Sequence, residues 1–262
     1  MSGCHSTSRE KCSATIITLN EEANLRACLA SVAWADEIVV VDSGSTDGTL
    51  AIAREFTDLV FVQPWAGFTK QKNFAVDQCS HRWVLNLDAD EQVTDALRER
   101  ILGLLVNPAH EGYSFPRKNV FLGRWMRHGG WYPDAVLRLF RCDLGRFGGI
   151  DPHAGIILPP GRVVYIPEPL LHYTYNSLNH YVSKQFPYAN AAAQAMIAAD
   201  KVRAPSMLRL VVKPPWRFLE NYVWKLGFLD GAHGLLAAVG SAYTAFLREA
   251  RVWELRKDSR KP

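Results

Sequence analysis

Apolar runs and amphipathic segments alternate over the first hundred residues of the chain. The apolar runs are rich in β-branched residues, and each is followed by a polar turn: Ala14–Leu19, Glu37–Asp42, Leu59–Gln63 and Trp83–Asp88. Segments with helical spacing follow them: Glu21–Val32, Thr46–Glu55, Phe68–Cys79 and Thr94–Leu105. This alternation predicts βαβ units, and therefore a parallel sheet with helices on both faces and ligands at the carboxyl ends of the strands.

The pattern changes after Gly112. Residues 112–169 combine short β-type runs with many Gly, Pro and aromatic residues, which predicts antiparallel strands and loops. Helical spacing returns beyond Leu178, with a predicted break at Pro214-Pro215. We therefore expect an α/β region over residues 1–176 and a helical extension over residues 177–262.

Composition is that of a folded globular chain, with 48% hydrophobic and 21% charged residues. Wholesale disorder and a polytopic membrane protein are not indicated. The net charge of +4 hides an asymmetry, because residues 1–200 carry 18 Lys/Arg against 21 Asp/Glu and residues 201–262 carry 12 against 5. A basic C-terminal segment favours an anionic partner, either nucleic acid or a phospholipid surface.

Cysteine usage and the N-terminal residues predict an intracellular protein. The five cysteines are scattered without a C-x-x-C pair, so we expect reduced thiols rather than disulfides or a zinc site. The first dozen residues lack an apolar core, and no uncharged apolar run of 18 residues is evident, so neither a signal peptide nor a membrane span is expected.

Two predicted strands end in acidic residues. Asp42 closes an apolar strand and leads into a small-residue turn, where it could accept hydrogen bonds from a nucleobase or ribose; as an alternative, Asp42 and Asp47 only cap the turn. Asp88 and Asp90 follow the next buried strand and could hold Mg²⁺ or Mn²⁺ together with diphosphate oxygens. The alternative for this second pair is a helix cap.

A third segment, residues 65–73, lies between these acidic strand ends and carries two lysines. Lys72 could offset phosphate charge at the same rim of the sheet. The alternative is that Lys70 and Lys72 belong to a solvated helix face.

Taken together, these motifs resemble the family 2 glycosyltransferases. Their order along the chain matches the family over about residues 13–140: Thr18-Leu19-Asn20-Glu21-Glu22, Asp42-Ser43-Gly44-Ser45-Thr46-Asp47-Gly48-Thr49, Lys72-Asn73 and Leu87-Asp88-Ala89-Asp90-Glu91. Gly-Trp-Tyr-Pro-Asp at 130–134, Arg138-Leu139-Phe140-Arg141, Leu171-His172-Tyr173-Thr174-Tyr175 and Gly227-Phe228-Leu229-Asp230-Gly231 extend the likeness to the lipopolysaccharide-core β-1,4-glucosyltransferase branch.

The resemblance implies a fold and a reaction. The implied fold is α/β: a three-layer α/β/α nucleotide-sugar-binding sandwich of GT-A type with a C-terminal helical extension. The implied reaction is inverting transfer of a hexose, taken to be glucose from UDP-glucose, onto a lipopolysaccharide-core-type glycan. The expected cofactors are Mg²⁺ or Mn²⁺ and the nucleoside-diphosphate sugar donor.

The resemblance also assigns roles to particular residues. The nucleotide contacts of the first strand match Thr18, Asn20 and Glu21, and the residue that holds the nucleobase matches Asp42. Asp88 matches the residue near the ribose and diphosphate, with Lys72 beside it. Asp90 matches the direct metal ligand, with Asp88 as the second carboxylate of the metal pair.

Inversion requires a base that takes the proton of the acceptor hydroxyl. Asp134 is the first candidate, because Pro133-Asp134-Ala135-Val136-Leu137-Arg138 resembles the family's acid-x-x-x-Arg segment; a turn aspartate after proline is the alternative. Related sequences show His-Glu where this chain has His153-Ala154, so Asp151 is a second candidate. His153 and His172 are candidates for contact with the metal or diphosphate; the alternative for each is a structural histidine.

The basic tail predicts a membrane-surface partner. Gly234–Leu247 is apolar and is bracketed by Trp and Arg residues, which favours a peripheral helix on an anionic membrane; the alternative is a helix packed on the catalytic domain. We expect a lipid-linked glycan acceptor, a location on the cytoplasmic, inner face of the cytoplasmic membrane, and no nucleic-acid partner, because no nucleic-acid fingerprint occurs.

Two other functions compete with this prediction. An enzyme with the same scaffold could transfer the sugar to a polyprenyl phosphate, whose phosphate is already a nucleophile. A protein of a different class, a non-catalytic module that binds sugar nucleotides or nucleic acid, is the second alternative. An acceptor assay separates the first from glycan transfer, and a salt-dependent binding titration tests the second.

Overall fold

The computed structural model describes residues 9–149, 155–198 and 207–258. The chain divides into two compact units. The first comprises Met1–Arg117 and Asp134–His172, and the second comprises Lys118–Pro133 and Tyr173–Pro262. The second unit therefore includes a segment from the middle of the chain as well as the C-terminal helices. The boundary expected from the sequence, at residue 176, stays a prediction.

The first unit begins with the four predicted strands: β1 (Cys12–Thr18), β2 (Glu37–Asp42), β3 (Val60–Val62) and β4 (Trp83–Asp88). They pair in parallel in the order β3-β2-β1-β4. Between them lie the helices α1 (Leu25–Ser31), α2 (Thr49–Arg54) and α3 (Phe68–Asp77). The predicted βαβ alternation is thus confirmed.

Two of these helices begin later than the sequence predicts, because the residues before them form hydrogen-bonded loops. The Glu22 carboxylate accepts from the Gly48 amide at 2.8 Å, and the Asp47 carboxylate accepts from the Thr49 amide at 3.1 Å. The Glu22 bond ties the loop after β1 to the loop before α2, and α2 begins at Thr49 rather than Thr46. The polar side chains satisfy amides that a helix would leave unpaired at its first turn.

The remaining elements up to Tyr175 make this sheet mixed and add a helix and a separate two-stranded antiparallel sheet. They are β5 (Glu91–Val93), α4 (Asp95–Leu104), β6 (Gly112–Phe121), β7 (Arg124–Trp125), β8 (Asp134–Arg141), β9 (Arg146–Gly148), β10 (Gly155–Ile157), β11 (Val163–Tyr165) and β12 (Leu170–Tyr175). The strand β8 pairs antiparallel with both β4 and β6, as the sequence predicts for this region, whereas β11 pairs with β6 in parallel.

Side-chain alternation along the strands gives the sheet of the first unit two covered faces. Ile16 and Val40 join the core cluster that contains residues of α1 and α4, whereas Ile17 and Val41 join the cluster that contains Ala75 of α3. Neighbouring residues of a strand point to opposite faces, so both faces of the parallel strands carry helices. This is the predicted three-layer α/β/α sandwich.

The second unit is mainly helical. Its helices are α5 (Leu178–Ala198), α6 (Met207–Leu219) and α7 (Gly231–Asp258), with a π-helical turn at Glu220–Trp224 and a 3-10 turn at Gly227–Asp230. Both α5 and α6 pack against α7. No helix within the described residues is long and apolar enough to cross a membrane.

The predicted helix break at Pro214-Pro215 is wrong, because both prolines lie inside α6. A proline has a φ that fits a helix, but it lacks one amide donor and crowds the preceding turn. Tertiary contacts outweigh that penalty: Arg209 and Lys213 of α6 each lie 3.3 Å from the buried Glu249 carboxylate of α7. These ion pairs hold α6 along α7 on the turn that precedes the prolines.

Candidate active site

The acidic strand ends lie at one edge of the sheet. In the register of the parallel strands, Thr18 of β1 pairs with Asp42 of β2, and Ile17 pairs with Asp88 of β4. The central strand therefore carries Thr18 between the two aspartates. This is the edge where α/β sheets bind their ligands.

Asp42 is completely buried and organises the loop that follows β2. Its carboxylate accepts from the amides of Gly44 and Ser45, both at 2.8 Å, and from the Ser45 hydroxyl. These are the contacts of the turn-capping alternative. The contact of Asp42 with a nucleobase stays a prediction.

At this edge, the loop after β1 is hydrogen-bonded to the loop after β2. The Asn20 side-chain oxygen accepts from the Thr46 amide at 2.9 Å, and the Asn20 amide donates to the Ser45 hydroxyl at 2.8 Å. The Glu21 amide donates to the Thr49 hydroxyl at 2.8 Å. Asn20 and Glu21 therefore hold the loop after β1 against the loop after β2.

Two buried polar atoms at this edge fit a bound nucleotide. Thr18 is 5% exposed and Gln71 is fully buried, and the Thr18 hydroxyl oxygen and the Gln71 side-chain oxygen have no hydrogen-bond partner among the described residues. The Gln71 side-chain nitrogen donates to the Ser43 hydroxyl at 3.1 Å, so this amide lies beside the same loop. Unpaired buried polar atoms are unfavourable, and a polar ligand would satisfy them.

Asp88 is held between two buried cations. The Lys72 ammonium lies 2.6 Å from one oxygen of Asp88, and the Arg138 guanidinium lies 2.5 Å from the other. Burial would raise the pKa of Asp88, but the charges of Arg138 and Lys72 outweigh it and hold that pKa well below its usual range. Lys72 is 6% exposed, so the solvated-face alternative is wrong for Lys72, whereas Lys70 is exposed.

The ion pair continues across the sheet. Arg138 also lies 2.5 Å from the completely buried Glu91, and Arg117 lies 3.3 Å from the same Glu91 oxygen. Arg117 then donates two hydrogen bonds, at 2.6 and 2.9 Å, to one oxygen of Asp134. Lys72, Asp88, Arg138, Glu91, Arg117 and Asp134 thus form a chain of alternating charge, which we call the charge chain.

The charge chain connects sequence-predicted candidates through residues that sequence reasoning missed. It joins Asp88 to Asp134 through Arg117, which had been given no role, and through Glu91, which had been quoted only as part of a motif. Arg138 had been quoted only within motifs, one of them the acid-x-x-x-Arg segment that begins at Asp134. The contact of Arg117 with Asp134 depends on the pairing of β6 with β8, in which these two residues are opposite each other.

Asp90 has a histidine partner. The strand β12 pairs with β5 so that His172 lies opposite Glu91, and the His172 Nε2 lies 3.5 Å from an Asp90 oxygen. Burial would lower the pKa of the His172 imidazole, but the hydrogen bond and charge of Asp90 outweigh it and raise that pKa. The structure therefore brings His172 to the acidic loop, whereas Asp151 and His153 lie outside the described residues.

The donor set fits a divalent cation shared with a substrate. Among the described residues, no group of three or more His, Cys, Asp or Glu side chains is arranged to hold a metal ion. Mg²⁺ in nucleotide enzymes is typically bound by one or two carboxylates, waters and substrate phosphates, rather than by a complete protein cage. The pair of Asp90 and His172 agrees with that partial ligand set.

Comparison with known proteins identifies the family. The model of glycosyl transferase family 2 matches residues 13–157. A lipopolysaccharide core biosynthesis glycosyltransferase, LpsC of Rhizobium meliloti, is 34% identical over 92% of this chain and 92% of its own. An uncharacterized glycosyltransferase of Rickettsia conorii is 30% identical over 94% of this chain and 90% of its own.

Solved structures agree on the fold. A mannosyltransferase of Pyrobaculum calidifontis in complex with GDP-Man and Mn²⁺ has a TM-score of 0.50 at 17% identity, covering 97% of this chain and 80% of that one. S. aureus TarS 1-349 in complex with UDP-GlcNAc also has a TM-score of 0.50, at 16% identity, covering 95% and 92%. The fold is therefore of GT-A type, as predicted, and the chain belongs to glycosyl transferase family 2.

Proposed function

We propose that this family 2 glycosyltransferase transfers a hexose, with inversion, from a nucleoside-diphosphate sugar to a lipopolysaccharide-core-type glycan. The observation that carries the proposal is the sheet edge where Thr18, Asp42, Asp88 and Asp90 lie together, with unpaired polar atoms beside the loops. The acceptor class is supported by the similarity to LpsC over nearly the full length of both chains.

The donor is proposed to be UDP-glucose. The nucleotide pocket would be formed by residues at the ends of β1 and β2 and in the loops that follow them: Thr18, Asn20, Glu21 and Asp42. Lys72 and Asp88 lie at the end of β4, where Lys72 is already bonded to Asp88. We therefore infer that Lys72 acts mainly by fixing Asp88 and adds positive charge for the diphosphate.

A Mg²⁺ or Mn²⁺ ion is proposed at Asp90, with Asp88 as the second carboxylate and His172 beside them. When bound, such an ion would neutralise charge on the leaving diphosphate. The chain's own residues prepare the loop: Lys72 and Arg138 fix Asp88, and His172 fixes Asp90. The solved mannosyltransferase of Pyrobaculum calidifontis, which has a similar fold, is in complex with GDP-Man and Mn²⁺.

Asp134 is proposed as the base that accepts the acceptor's hydroxyl proton. Arg117 orients its carboxylate through two hydrogen bonds to one oxygen. A carboxylate fixed in this way can take a proton without first reorienting, which suits a positioned general base. Asp151 stays the alternative base.

The acceptor is proposed to be lipid-linked and the protein to be peripheral on the inner face of the cytoplasmic membrane. The supporting observation is an exposed apolar stripe on α6, formed by Leu208, Val212 and Trp216 at four-residue spacing, with exposed fractions of 72%, 49% and 57%. Amphipathic helices with such faces lie in the membrane interface.

One experiment tests the reaction. The protein is incubated with UDP-glucose, UDP-GlcNAc or GDP-Man, with Mn²⁺ and with either a lipid A-core acceptor or polyprenyl phosphate, and the product linkage is determined by NMR. We expect a β-linked glucose on the core glycan. An α-linked product would contradict inversion, product only on polyprenyl phosphate would favour the first alternative, and binding without turnover would favour the non-catalytic module.

A further inference from the structure

A cavity lies entirely within the second unit and shares no lining residue with the proposed donor site. Its volume is about 240 Å³, and its lining includes Trp131, Tyr175, Tyr181 and two arginines, Arg217 and Arg248. None of these residues has a role in the proposed reaction. The combination of aromatic rings and cationic side chains in one concave site is typical of ligand recognition.

The aromatic side of the cavity is built as a fixed wall. Tyr181 is 6% exposed and packs edge-on against Phe121 and Tyr175, with ring centroids 5.0 and 4.8 Å apart. Trp131 also packs against Phe121, with ring centroids 5.4 Å apart. The backbone of Gly240 approaches the Tyr181 ring so closely that a Cβ there would lie 1.9 Å from the phenol oxygen. Such a wall presents apolar ring surface at little loss of side-chain entropy.

The polar lining is ordered as well. Gln185 is 4% exposed; its nitrogen donates to the Tyr181 carbonyl at 2.8 Å, and its oxygen accepts from the Thr244 hydroxyl. Ser241 and Thr244 face the same cavity. Hydroxyl and amide groups beside an aromatic wall suit a ligand that has both apolar faces and hydroxyl groups, as a pyranose ring does.

Around the two arginines of the cavity, basic side chains outnumber the carboxylates that pair with them. Arg248, Arg209 and Lys213 all lie 3.3 Å from the single carboxylate of Glu249. Arg217 and Lys225 share Glu220, at 2.8 and 2.6 Å. Without Arg209, four of these cations still share two carboxylates among the described residues. The excess of positive charge favours an anionic ligand.

Arg248 also carries an unused donor. Its Nε atom is buried and has no hydrogen-bond partner among residues 9–149, 155–198 and 207–258. A guanidinium presents its donors in a fixed fork that matches a carboxylate or phosphate. A buried unpaired donor is unfavourable until a ligand oxygen accepts from it.

We propose that this cavity binds an anionic sugar of the acceptor, a pyranose that bears a carboxylate or a phosphate group. The ring lies against Trp131 and Tyr181, and the anion is held by Arg248 and Arg217. The assignment to the acceptor rests on the proposed function, whereas the binding of an anionic sugar does not.

Binding is measured by ligand-observed NMR titration of the full chain without donor. The probes are glucuronic acid, glucose 6-phosphate, neutral glucose and glycerol 3-phosphate. We expect the first two to bind at least about tenfold more tightly than the last two, because only they offer both a ring and an anion. Equal binding of glucose would contradict the anion site, and equal binding of glycerol 3-phosphate would assign the cavity to a phosphate headgroup instead of a sugar.

Variants locate the binding. Arg248→Gln should lower the affinity for glucuronic acid and for glucose 6-phosphate at least about tenfold and leave the affinity for glucose unchanged. Arg251→Gln should change the affinity for the two anionic sugars less than twofold. Arg251 is the matched control because it lies on the same helix but bonds to Asn190 and Glu254. Ser241→Phe fills the cavity while keeping both arginines, and it should also abolish binding. Unchanged binding in Arg248→Gln and Ser241→Phe would overturn the proposal.

Activity then tests the assignment to the acceptor. Arg248→Gln should raise the acceptor KM while leaving the donor KM and kcat unchanged. If the wild-type protein binds anionic sugars but transfers no sugar to the lipid A-core acceptor, the proposed function fails and the anionic-sugar site stands. If Arg248→Gln binds them weakly yet keeps its acceptor KM, the assignment to the acceptor is wrong.

Discussion

Two threonine hydroxyls of β1 allow an effect on donor binding to be separated from an effect on folding. The Thr18 hydroxyl is buried without a partner, whereas the Thr15 hydroxyl on the same strand accepts from Asn86 at 3.0 Å. We expect Thr18→Val to raise the donor KM about fivefold to tenfold, since one hydrogen bond contributes about 1 kcal/mol. Its Tm should not fall, because no bond of the folded chain is lost.

Thr15→Val is the control for that prediction. It removes one of the two acceptors of the buried Asn86 side-chain nitrogen, so it should lower Tm and leave the donor KM of the folded protein unchanged. Steady-state kinetics at varied donor and thermal unfolding measure both effects. A Thr18→Val protein with an unaltered donor KM would show that this hydroxyl does not meet the nucleotide.

Asp90 tests the metal. We expect Asp90→Ala to reduce kcat at least about a thousandfold, because charge stabilisation by a metal is worth several kcal/mol and each 1.4 kcal/mol is tenfold in rate. The fold should persist, since the Asp90 side chain is 26% exposed. Asp95→Ala, at an aspartate whose side chain is 91% exposed, is the control and should be fully active. Full activity in excess chelator would contradict the metal site.

Asp88 links the charge chain to pH. Its pKa is lowered in the folded protein by Arg138 and Lys72, so its contribution to stability is present above its unfolded pKa of about 3.9. That contribution is lost as the pH falls from there through the folded pKa. Asp88→Asn should therefore lower the free energy of unfolding at neutral pH, and its difference from the wild type should shrink below about pH 4.

Urea unfolding over a pH series measures this difference. Asp77→Asn is the control, because Asp77 is an exposed partner of Arg146 and no buried charge depends on it. A gap between Asp88→Asn and the wild type that stays constant down to about pH 2 would mean that Asp88 is not held ionised by its neighbours.

The residues of the site divide by what sequence could predict. Asp42 and Asp88 were predictable, because an apolar run ending in an acid places that acid at the carboxyl end of a buried strand. The contact of Arg117 with Asp134 was not, because it depends on the antiparallel register of β6 with β8, in which these two residues are opposite each other. The pattern within one strand does not by itself identify the strand that pairs with it.

At the scale of elements, the sequence predicted the presence of the helices better than the residues at which they begin and end. Hydrophobic spacing predicted α1 to α4, but α2 starts three residues later than predicted because Glu22 binds the Gly48 amide and Asp47 binds the Thr49 amide. The prolines of α6 show the converse. A local rule predicted a break, and packing against α7 keeps the helix continuous.

Glu249 joins α6 to α7 and gives a prediction at this scale. Its side chain is 4% exposed and faces Arg209, Lys213 and Arg248. Glu249→Gln would leave three partly exposed cations, with side chains 27% to 39% exposed, without the carboxylate that they share, so we expect a loss of about 2 kcal/mol in the free energy of unfolding. Glu254→Gln, at an exposed glutamate on the same helix, should cost less than about 0.5 kcal/mol. Equal losses would mean that Glu249 does not hold the helices together.

For the whole molecule, the structure changes the balance of forces expected at a membrane. Residues 201–262 carry 12 basic and 5 acidic residues, which favoured an electrostatic attachment. Several of those cations are engaged within the second unit, by Glu249 and Glu220. The exposed apolar stripe of α6 is therefore expected to contribute more to binding than the net charge does.

Co-sedimentation with vesicles tests that balance. The intact protein should sediment with phosphatidylglycerol vesicles at low salt, and high salt should release only part of it, because basic residues add about 1 kcal/mol each and apolar insertion resists salt. Trp216→Ser should weaken binding at every salt concentration. Trp65→Ser is the control, because Trp65 lies in the first unit, outside α6, and is exposed to a similar extent: 49% against 57% for Trp216. Complete release by salt, or equal binding of both variants, would mean that α6 does not insert. A stable dimer in sedimentation velocity that Trp216→Ser dissolves would assign the stripe to a second copy of the chain instead.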